Sequence, residues 1–247
     1  MSTAAEHYKN LLANHYVWMF GVSFEEKVAE QKKLLEHILQ LSNVPRGIAL
    51  DLGSGPGFQT LALAELGFSP VIAVDSSAEL LAVLRAHAGS YPVETRILEL
   101  ASLDSIELTA SAIVAVCMGD TLTHLSSKEE VESFFVAVFR KLAPGGIFAL
   151  TYRDLTHELT GVNRFLLIRS DDHKILTCFL EYENEQTVVV HDLLYKREED
   201  GWTLEKSSYR KLRLSSDWTA SALRKANFVI QTQESIGRLS LIVARKT

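Results

Sequence analysis

Apolar residues follow two different rhythms along this chain. Up to about residue 155, short continuous apolar runs alternate with stretches whose apolar residues recur every three or four positions. FEEKVAEQKKLLEHILQL (24–41) sets Val28, Leu34, Leu35, Ile38, Leu39 and Leu41 at helical spacing and predicts an amphipathic helix, ended by Asn43, Pro45 and Gly47. Residues 48–52 predict a short buried strand, 58–66 a helix closed by Gly67, and 70–75 (PVIAVD) a second strand. Ser76 and Glu79 are spaced as a capping box for the helix ELLAVLRAHAG. VETRIL (93–98) predicts a third strand. AIVAVCM (112–118) predicts a fourth, apolar throughout and so buried on both faces. Ser126 and Glu129 cap a helix through Leu142, and Pro144-Gly145-Gly146 turns the chain into the strand IFALTY.

Strands alternating with helices through short connections predict a parallel α/β sheet wound on both faces. After residue 155 the period becomes two, with turn signals at SDDH, ENE and EEDG, which predicts antiparallel strands. SDWTASALRKANF then predicts one more helix, and two last strands follow at 228–235 and 239–245. The expected organisation is an N-terminal helical segment (1–44), an α/β core (45–155 and 212–247) and an antiparallel β insertion (156–211).

Composition narrows the partners. The chain has 247 residues, is 47% apolar and carries a formal net charge of −6, so it lacks the broad basic footprint of a nucleic-acid binder. Lys206, Arg210, Lys211 and Arg213 form a local basic cluster, expected as a solvated strand edge. Cys117 and Cys178 sit in apolar runs without a CxxC or His/Cys cluster, which suits buried thiols and no metal site. MSTAAEHYKN lacks a leader's apolar segment, and no apolar run is long enough to span a bilayer. The expectation is a cytoplasmic protein with no membrane partner.

The candidate chemistry begins at ALDLGSGPGF (49–58). Gly53, Gly55 and Gly57 follow a strand and open a helix, where bare backbone and free N–H groups allow close approach of a ligand. GxGxxG would need glycine at 58, which is Phe58, and no GK[ST] follows, so neither a dinucleotide nor a triphosphate fingerprint is complete. Asp75 ends the next strand about 20 residues on, where a carboxylate accepts hydrogen bonds from the vicinal hydroxyls of a ribose. Asp51 stands just before the loop, placed to meet a cation or to orient the glycine backbone. Nucleoside, carboxylate and ammonium together describe S-adenosylmethionine.

ALDLGSGPG (49–57), VIAVDSS (71–77), ILELASLD (97–104), VCMGDTLTHL (116–125) and RKLAPGGIFALTY (140–152) resemble, in order, the class I S-adenosylmethionine-dependent methyltransferases. The resemblance implies a doubly wound, Rossmann-like seven-stranded sheet with a reversed last strand. It implies cofactor contacts at Gly53, Ser54, Gly55, Gly57, Asp75 and Ser76 or Ser77. The family's acid after the third strand falls on Glu99 or Leu100, a departure that shifts the adenine contact towards backbone. Met118 would cover the methionine part or serve as core.

The N-terminal HYVWMFG (15–21) matches a segment that often folds over the cofactor in this family. Tyr16 and Trp18 are expected against the cofactor and Phe20 against the substrate, with a hydrophobic staple as the alternative. Asp120 and His124 are the candidate acid–base residues, and Tyr152 and Arg153 the candidate substrate contacts; Arg153 suits a carboxylate or phosphate. CMGD lacks the prolines of the base- and amide-methylating motifs. The rest is similar to the branch acting on small molecules, which includes glycine N-methyltransferase and sugar-amine N,N-dimethyltransferases. The expected activity is methyl transfer to a small molecule, with an amine nitrogen favoured as acceptor. A protein or RNA methyltransferase and a non-catalytic cofactor-binding module are the alternatives. Tyr182, His191, Tyr195, Trp202 and Tyr209 of the insertion either wall the pocket or form a homodimer surface.

Overall fold

The computed structural model describes residues 3–247. Residues 1 and 2 of the expected N-terminal segment, and the side chain of Leu41, lie outside the described residues. Seven strands form one sheet in the order β10-β11-β5-β4-β1-β2-β3. They are β1 (Ala49–Leu52), β2 (Val71–Asp75), β3 (Val93–Ile97), β4 (Ala112–Cys117), β5 (Leu142–Tyr152), β10 (Phe228–Ile236) and β11 (Leu239–Lys246). β1 to β5 run parallel, while β11 pairs antiparallel with both β5 and β10 and is the reversed last strand. β1 and β4 are nearly all buried because each is covered on both faces, and this is why they read as unbroken apolar runs.

The helices are α1 (Ala4–His7), α2 (Tyr16–Met19), α3 (Phe24–Ser42), α4 (Phe58–Glu65), α5 (Ala78–His87), α6 (Lys128–Lys141) and α7 (Ser216–Lys225). Ser23 and Glu26 close a reciprocal capping box on α3. Two expected caps move by one residue. Ser77, not Ser76, caps α5 by accepting from the Leu80 N–H, and Ser127, not Ser126, caps α6 by accepting from the Glu130 N–H. Asp75 causes the first shift, since it accepts the Ser77 N–H and keeps the chain extended for one more residue.

β6 (Phe165–Ser170), β7 (Lys174–Tyr182), β8 (Thr187–Glu198) and β9 (Gly201–Leu212) form a second, antiparallel four-stranded sheet. Its inner face carries Cys178, Leu180, Val188, Val190 and Tyr209. Both cysteines are free and buried, and burial pushes both thiols up, Cys178 to about 12. The basic cluster is a solvated edge only in part: Lys206 and Arg210 are exposed on the edge strand β9. Lys206 and Arg210 fall on alternate positions from Lys211, which is buried, as is Arg213. Arg213 donates to the Leu155 and Thr156 carbonyls and pairs with Glu158, tying the second sheet to the segment after β5. Among the described residues no helix is long and apolar enough to cross a membrane.

Tyr152, expected at the substrate, is fully buried and donates its hydroxyl to Thr219 of α7 at 2.8 Å. Strand alternation is the reason, because Thr151, its neighbour, takes the opposite face towards the loop after β4. Tyr152→Phe leaves the volume and removes one buried hydrogen bond. It is expected to lower stability in urea unfolding by about 1 kcal/mol, and an unchanged midpoint would show that the hydroxyl is unpaired.

Asp51 is 1% exposed and accepts from the Thr60 hydroxyl at 2.6 Å. Burial raises its carboxyl from 3.8 to about 7, against the Thr60 hydrogen bond. Between those two pH values the folded chain keeps a proton that the unfolded chain releases. The contribution is fully present below the unfolded value and fades as pH rises through about 7. Asp51→Asn preserves an acceptor for Thr60 and is expected to flatten the fall in Tm across this window, as followed by thermal melts at stepped pH.

Candidate active site

The loop between β1 and α4 is drawn onto β2 by its own backbone. Gly53 and Ser54 donate their N–H groups to the Val74 carbonyl at 2.7 and 3.0 Å. Gly53 has φ +77°, and a Cβ there would run into the Thr121 side chain. Gly55 donates to Asp75 Oδ2 at 2.7 Å, while Ser77 donates to Oδ1 at 2.8 Å. Burial raises the Asp75 carboxyl and these N–H groups oppose the shift. Gly57 differs from the position expected of it. It has φ +97° as the N-cap of α4, and a Cβ would strike Leu84 of α5, so its bareness serves helix packing rather than the cleft.

A cleft follows this loop along the carboxyl edge of the sheet. One end is lined by Asp75, Ser76, Leu98, Glu99, Leu100 and His124. The other is lined by Phe20, Ser54, Met118, Thr151, Arg153 and Lys211, among others. Tyr8, Tyr16, Gly53, Gly55 and Thr121 border both ends, so the two cavities meet at the glycine loop. Met118 is both wall and core, packed with Val116 and Ala149 and in contact with Thr151 Oγ1 through its sulfur.

The N-terminal segment closes over the cleft. Tyr8–Leu12 winds as a π turn, a form common at functional sites, and Tyr8 and Tyr16 face each other with ring centroids 5.8 Å apart. Phe20 meets Tyr16 and Phe58 edge-on, each at 5.3 Å. Trp18 is not at the cleft. Its indole N–H donates to Asp171, its ring lies under Lys174, and it packs against Leu11, Leu12, Leu176 and Leu194. On a helical turn Trp18 sits away from the face shared by Tyr16 and Phe20, so it anchors the segment to β7 and β8 instead.

Asp120 is also not the acid–base group expected. Its carboxylate accepts from the Arg153 side chain, from the Arg153 backbone N–H at 2.8 Å and from Lys211 Nζ at 2.9 Å. Burial raises its carboxyl, but Lys211 and Arg153 outweigh this and hold it well below the usual carboxylate range. A carboxylate so held is a fixed anion and a poor base. His124 borders the Asp75 end close to where the two ends meet, its ring 5.5 Å from both Tyr8 and Tyr209. Its Nε2 is buried without a protein partner. Burial and the nearby Lys211 bring its pKa down to about 3, leaving the imidazole neutral at pH 7.

Several lining residues escaped the sequence reading. Lys211 and Tyr209 share the inward parity of β9, opposite Val188 and Val190 of β8. Following that parity into the polar residues would have found Lys211. Asp192, also inward, accepts from His7 at 2.9 Å in a fully buried contact. That pair joins the first turn of the chain to the second sheet across 185 positions, which no local pattern signals. Of the other aromatics of the insertion, Tyr209 reaches the cleft, Tyr182 packs under Arg213, and His191 pairs with Glu181. Among the described residues no group of three His, Cys, Asp or Glu is placed to hold a metal.

The lining suits a nucleoside sulfonium. Two carboxylates stand at one end, aromatic rings surround the middle, and Ser54 Oγ and Asp51 Oδ1 are buried acceptors without protein partners beside the loop. Residues 50–150 match the family described as methyltransferase domain. The chain is 32% identical over 110 residues to the Bacillus subtilis protein YqeM, whose name assigns it provisionally to the methyltransferases. That stretch covers 44% of this chain and 43% of YqeM, so the chain spans less than half of that relative.

An S-adenosylmethionine-dependent methyltransferase from Clostridium acetobutylicum superposes with a TM-score of 0.75 at 16% identity, over 98% of this chain and 97% of its own. The amino pentose methyltransferase CalS10 from Micromonospora echinaspora, solved with S-adenosylmethionine bound, gives 0.70 at 15% identity, over 95% and 96%. At these identities the two likenesses speak for the fold. The match to the methyltransferase domain spans the glycine loop and the cleft floor, and the chain as a whole shares the fold of these two S-adenosylmethionine-dependent and amino pentose methyltransferases.

Proposed function

We propose that the protein transfers a methyl group from S-adenosylmethionine to a small-molecule acceptor, with an amine nitrogen favoured. The carrying observation is the pairing of Gly55 N–H and Asp75 at the head of a cleft that runs under Tyr8 and Tyr16 to Lys211. Asp75 would take the ribose hydroxyls, Glu99 and the Leu100 backbone the adenine edge, and Ser54 and Met118 the methionine part. The segment before residue 45 acts as the lid, residues 45–155 and 212–247 hold the cofactor, and the inner face of the insertion walls the acceptor space. The sugar N-methyltransferase KedS8 from Streptoalloteichus, a structural neighbour at 14% identity, supports a nitrogen acceptor. It does so by likeness of fold.

When bound, the cofactor supplies an activated methyl on a sulfonium. The acceptor's lone pair forms the new bond to the methyl carbon, the carbon–sulfur bond breaks, and its electron pair stays on sulfur as a neutral thioether. An amine acceptor then carries the positive charge and sheds a proton to water. The chain's part is alignment and exclusion of solvent. Tyr8, Tyr16 and Phe20 cover the reacting space, and their faces favour a cation. His124, neutral and with a buried Nε2 that has no protein partner, would accept a hydrogen bond from the acceptor and orient its lone pair. With a pKa of about 3 it does not store the proton.

Asp75→Asn keeps the size of the side chain but removes the charge and leaves one oxygen to accept where two now take the Gly55 and Ser77 N–H groups. Calorimetry is expected to show S-adenosylhomocysteine binding roughly tenfold to a hundredfold weaker, with Tyr152→Phe as a control at wild-type affinity. Equal affinity for Asp75→Asn would remove the ribose assignment. The His124 pKa of about 3 also fixes a pH profile: kcat should show no limb near the ordinary histidine value of 6.5 assignable to this residue. His124→Gln should lower kcat by about tenfold without changing the profile's shape. A limb near 6.5 that His124→Gln abolishes would show instead that the imidazole titrates.

A further inference from the structure

We propose that the acceptor carries an anionic group, a carboxylate or a phosphate, apart from the atom that is methylated, and that Arg153 backed by Lys211 anchors it. This rests on the methyltransferase reading above and adds the class of acceptor to it. The whole chain has a formal charge of −6, yet the acceptor end of the cleft departs from that balance. Its lining holds three cations, Lys27, Arg153 and Lys211, against two carboxylates, Asp120 and Asp192. Asp192 contacts His7, away from the cluster on Asp120, and Lys27 pairs with Glu30. Asp120 is shared between Arg153 and Lys211, so that cluster keeps one positive charge in excess.

The excess charge sits where a ligand can reach it. The Arg153 side chain remains 55% exposed although it contacts Asp120, while Lys211 is 8% exposed beneath it. Asp120 also accepts the Arg153 backbone N–H, which fixes the root of that side chain. A guanidinium held at its base, and on Asp120 through Nη1, keeps its Nη2 and Nε edge to present to a planar or tetrahedral anion. Lys211 lies near the Tyr209 ring, with Nζ 5.7 Å from the centroid, and lowers the energy of a negative charge without competing for the same donors.

The position selects the acceptor rather than the cofactor. Arg153 follows β5, two strands from the glycine loop after β1, and shares its cavity end with Cys178, Val190 and Tyr209 of the second sheet. Ser54 of the glycine loop and Gln59, at the start of α4, line the same end, so the cofactor's own carboxylate would find polar partners there without Arg153. The opposite end of the cleft is lined by Asp75 and Glu99 with no lysine or arginine. An anion entering the cleft is therefore steered to one end only, which places the amine between that anchor and the aromatic lid.

The test uses the full-length protein saturated with S-adenosylhomocysteine and three matched pairs of probes: glycine and glycinamide, β-alanine and propylamine, glucosamine 6-phosphate and glucosamine. Ligand-observed NMR reads binding, and release of S-adenosylhomocysteine from S-adenosylmethionine reads transfer. The anionic member of at least one pair should bind about tenfold to a hundredfold more tightly, and the pair that responds tells carboxylate from phosphate. Arg153→Met should erase that preference, and Arg153→Lys should retain part of it, both at wild-type affinity for S-adenosylhomocysteine. Equal binding within every pair, absence of binding by every anionic probe, or a preference that survives Arg153→Met would overturn the anchor. Loss of S-adenosylhomocysteine binding in Arg153→Met would also overturn it, by giving the residue to the cofactor. Failure of the wild-type protein to bind S-adenosylhomocysteine would sink the methyltransferase reading itself, a separate result.

Discussion

The contact on which the site depends is the one between the Gly55 N–H and the Asp75 carboxylate. A loop of three glycines has little conformational preference, and ordering it costs more backbone entropy than any other composition. Here the cost is met from one direction. The Val74 carbonyl takes two N–H groups of the loop and Asp75 takes a third, so three successive donors of residues 53–55 are fixed to the end of β2. The same carboxylate accepts Ser77 and sets the first turn of α5. One side chain thus fixes the loop, the helix start and the acidic end of the cleft together. The raised pKa that burial gives Asp75 is the electrostatic counterpart of that arrangement, since its desolvation is only partly relieved by backbone donors.

The roof of the cleft follows a different logic. The second sheet packs no helix layer of its own against its inner face; it packs the N-terminal segment. Leu11 and Leu12 fill the space against Leu176 and Leu194, Trp18 clips to Asp171, and His7 meets Asp192. Apolar packing supplies most of the driving force, and the two polar contacts fix the register in which Tyr8 and Tyr16 overhang the glycine loop. The segment therefore has two neighbours of unequal kind. The part before α3 is anchored to the insertion and meets the core through Tyr16, Val17 and Phe20, while α3 packs into the core itself; the first part suits a cover that must yield to admit a ligand.

The α/β core was legible because buried parallel strands must be apolar on both faces and their connecting helices amphipathic, and both patterns are local. The insertion was legible for the same reason at period two. What was lost was parity and partnership. Tyr152 was expected at the cleft because it ends β5, but one position of alternation turns it to Thr219. Trp18 was grouped with Tyr16 and Phe20 by composition, whereas helical rotation separates them. Asp120 looked like a base because an isolated acid after β4 has no visible partner in the sequence. Lys211 stands 91 positions away and was read as surface. A charge is assigned its chemistry by what it meets, and here the partners come from elements that only the folded chain brings together.

This dependence on distant partners also explains the electrostatic division of the cleft. Its acidic end is built from residues of the core alone, Asp75 and Glu99, each at the carboxyl end of a parallel strand. Its cationic end is composite, with Arg153 from the core and Lys211 from the insertion meeting on Asp120. Lys211, buried, depends on the carboxylate for a partner, and the carboxylate held low by both cations cannot serve as base. The ion cluster thus fixes the second sheet to the floor of the cleft while leaving a single positive charge on its surface. A cleft floor supplied by the core and a wall supplied by the insertion is an arrangement in which the lining can change through β7 to β9 while the glycine loop and its carboxylate stay as they are.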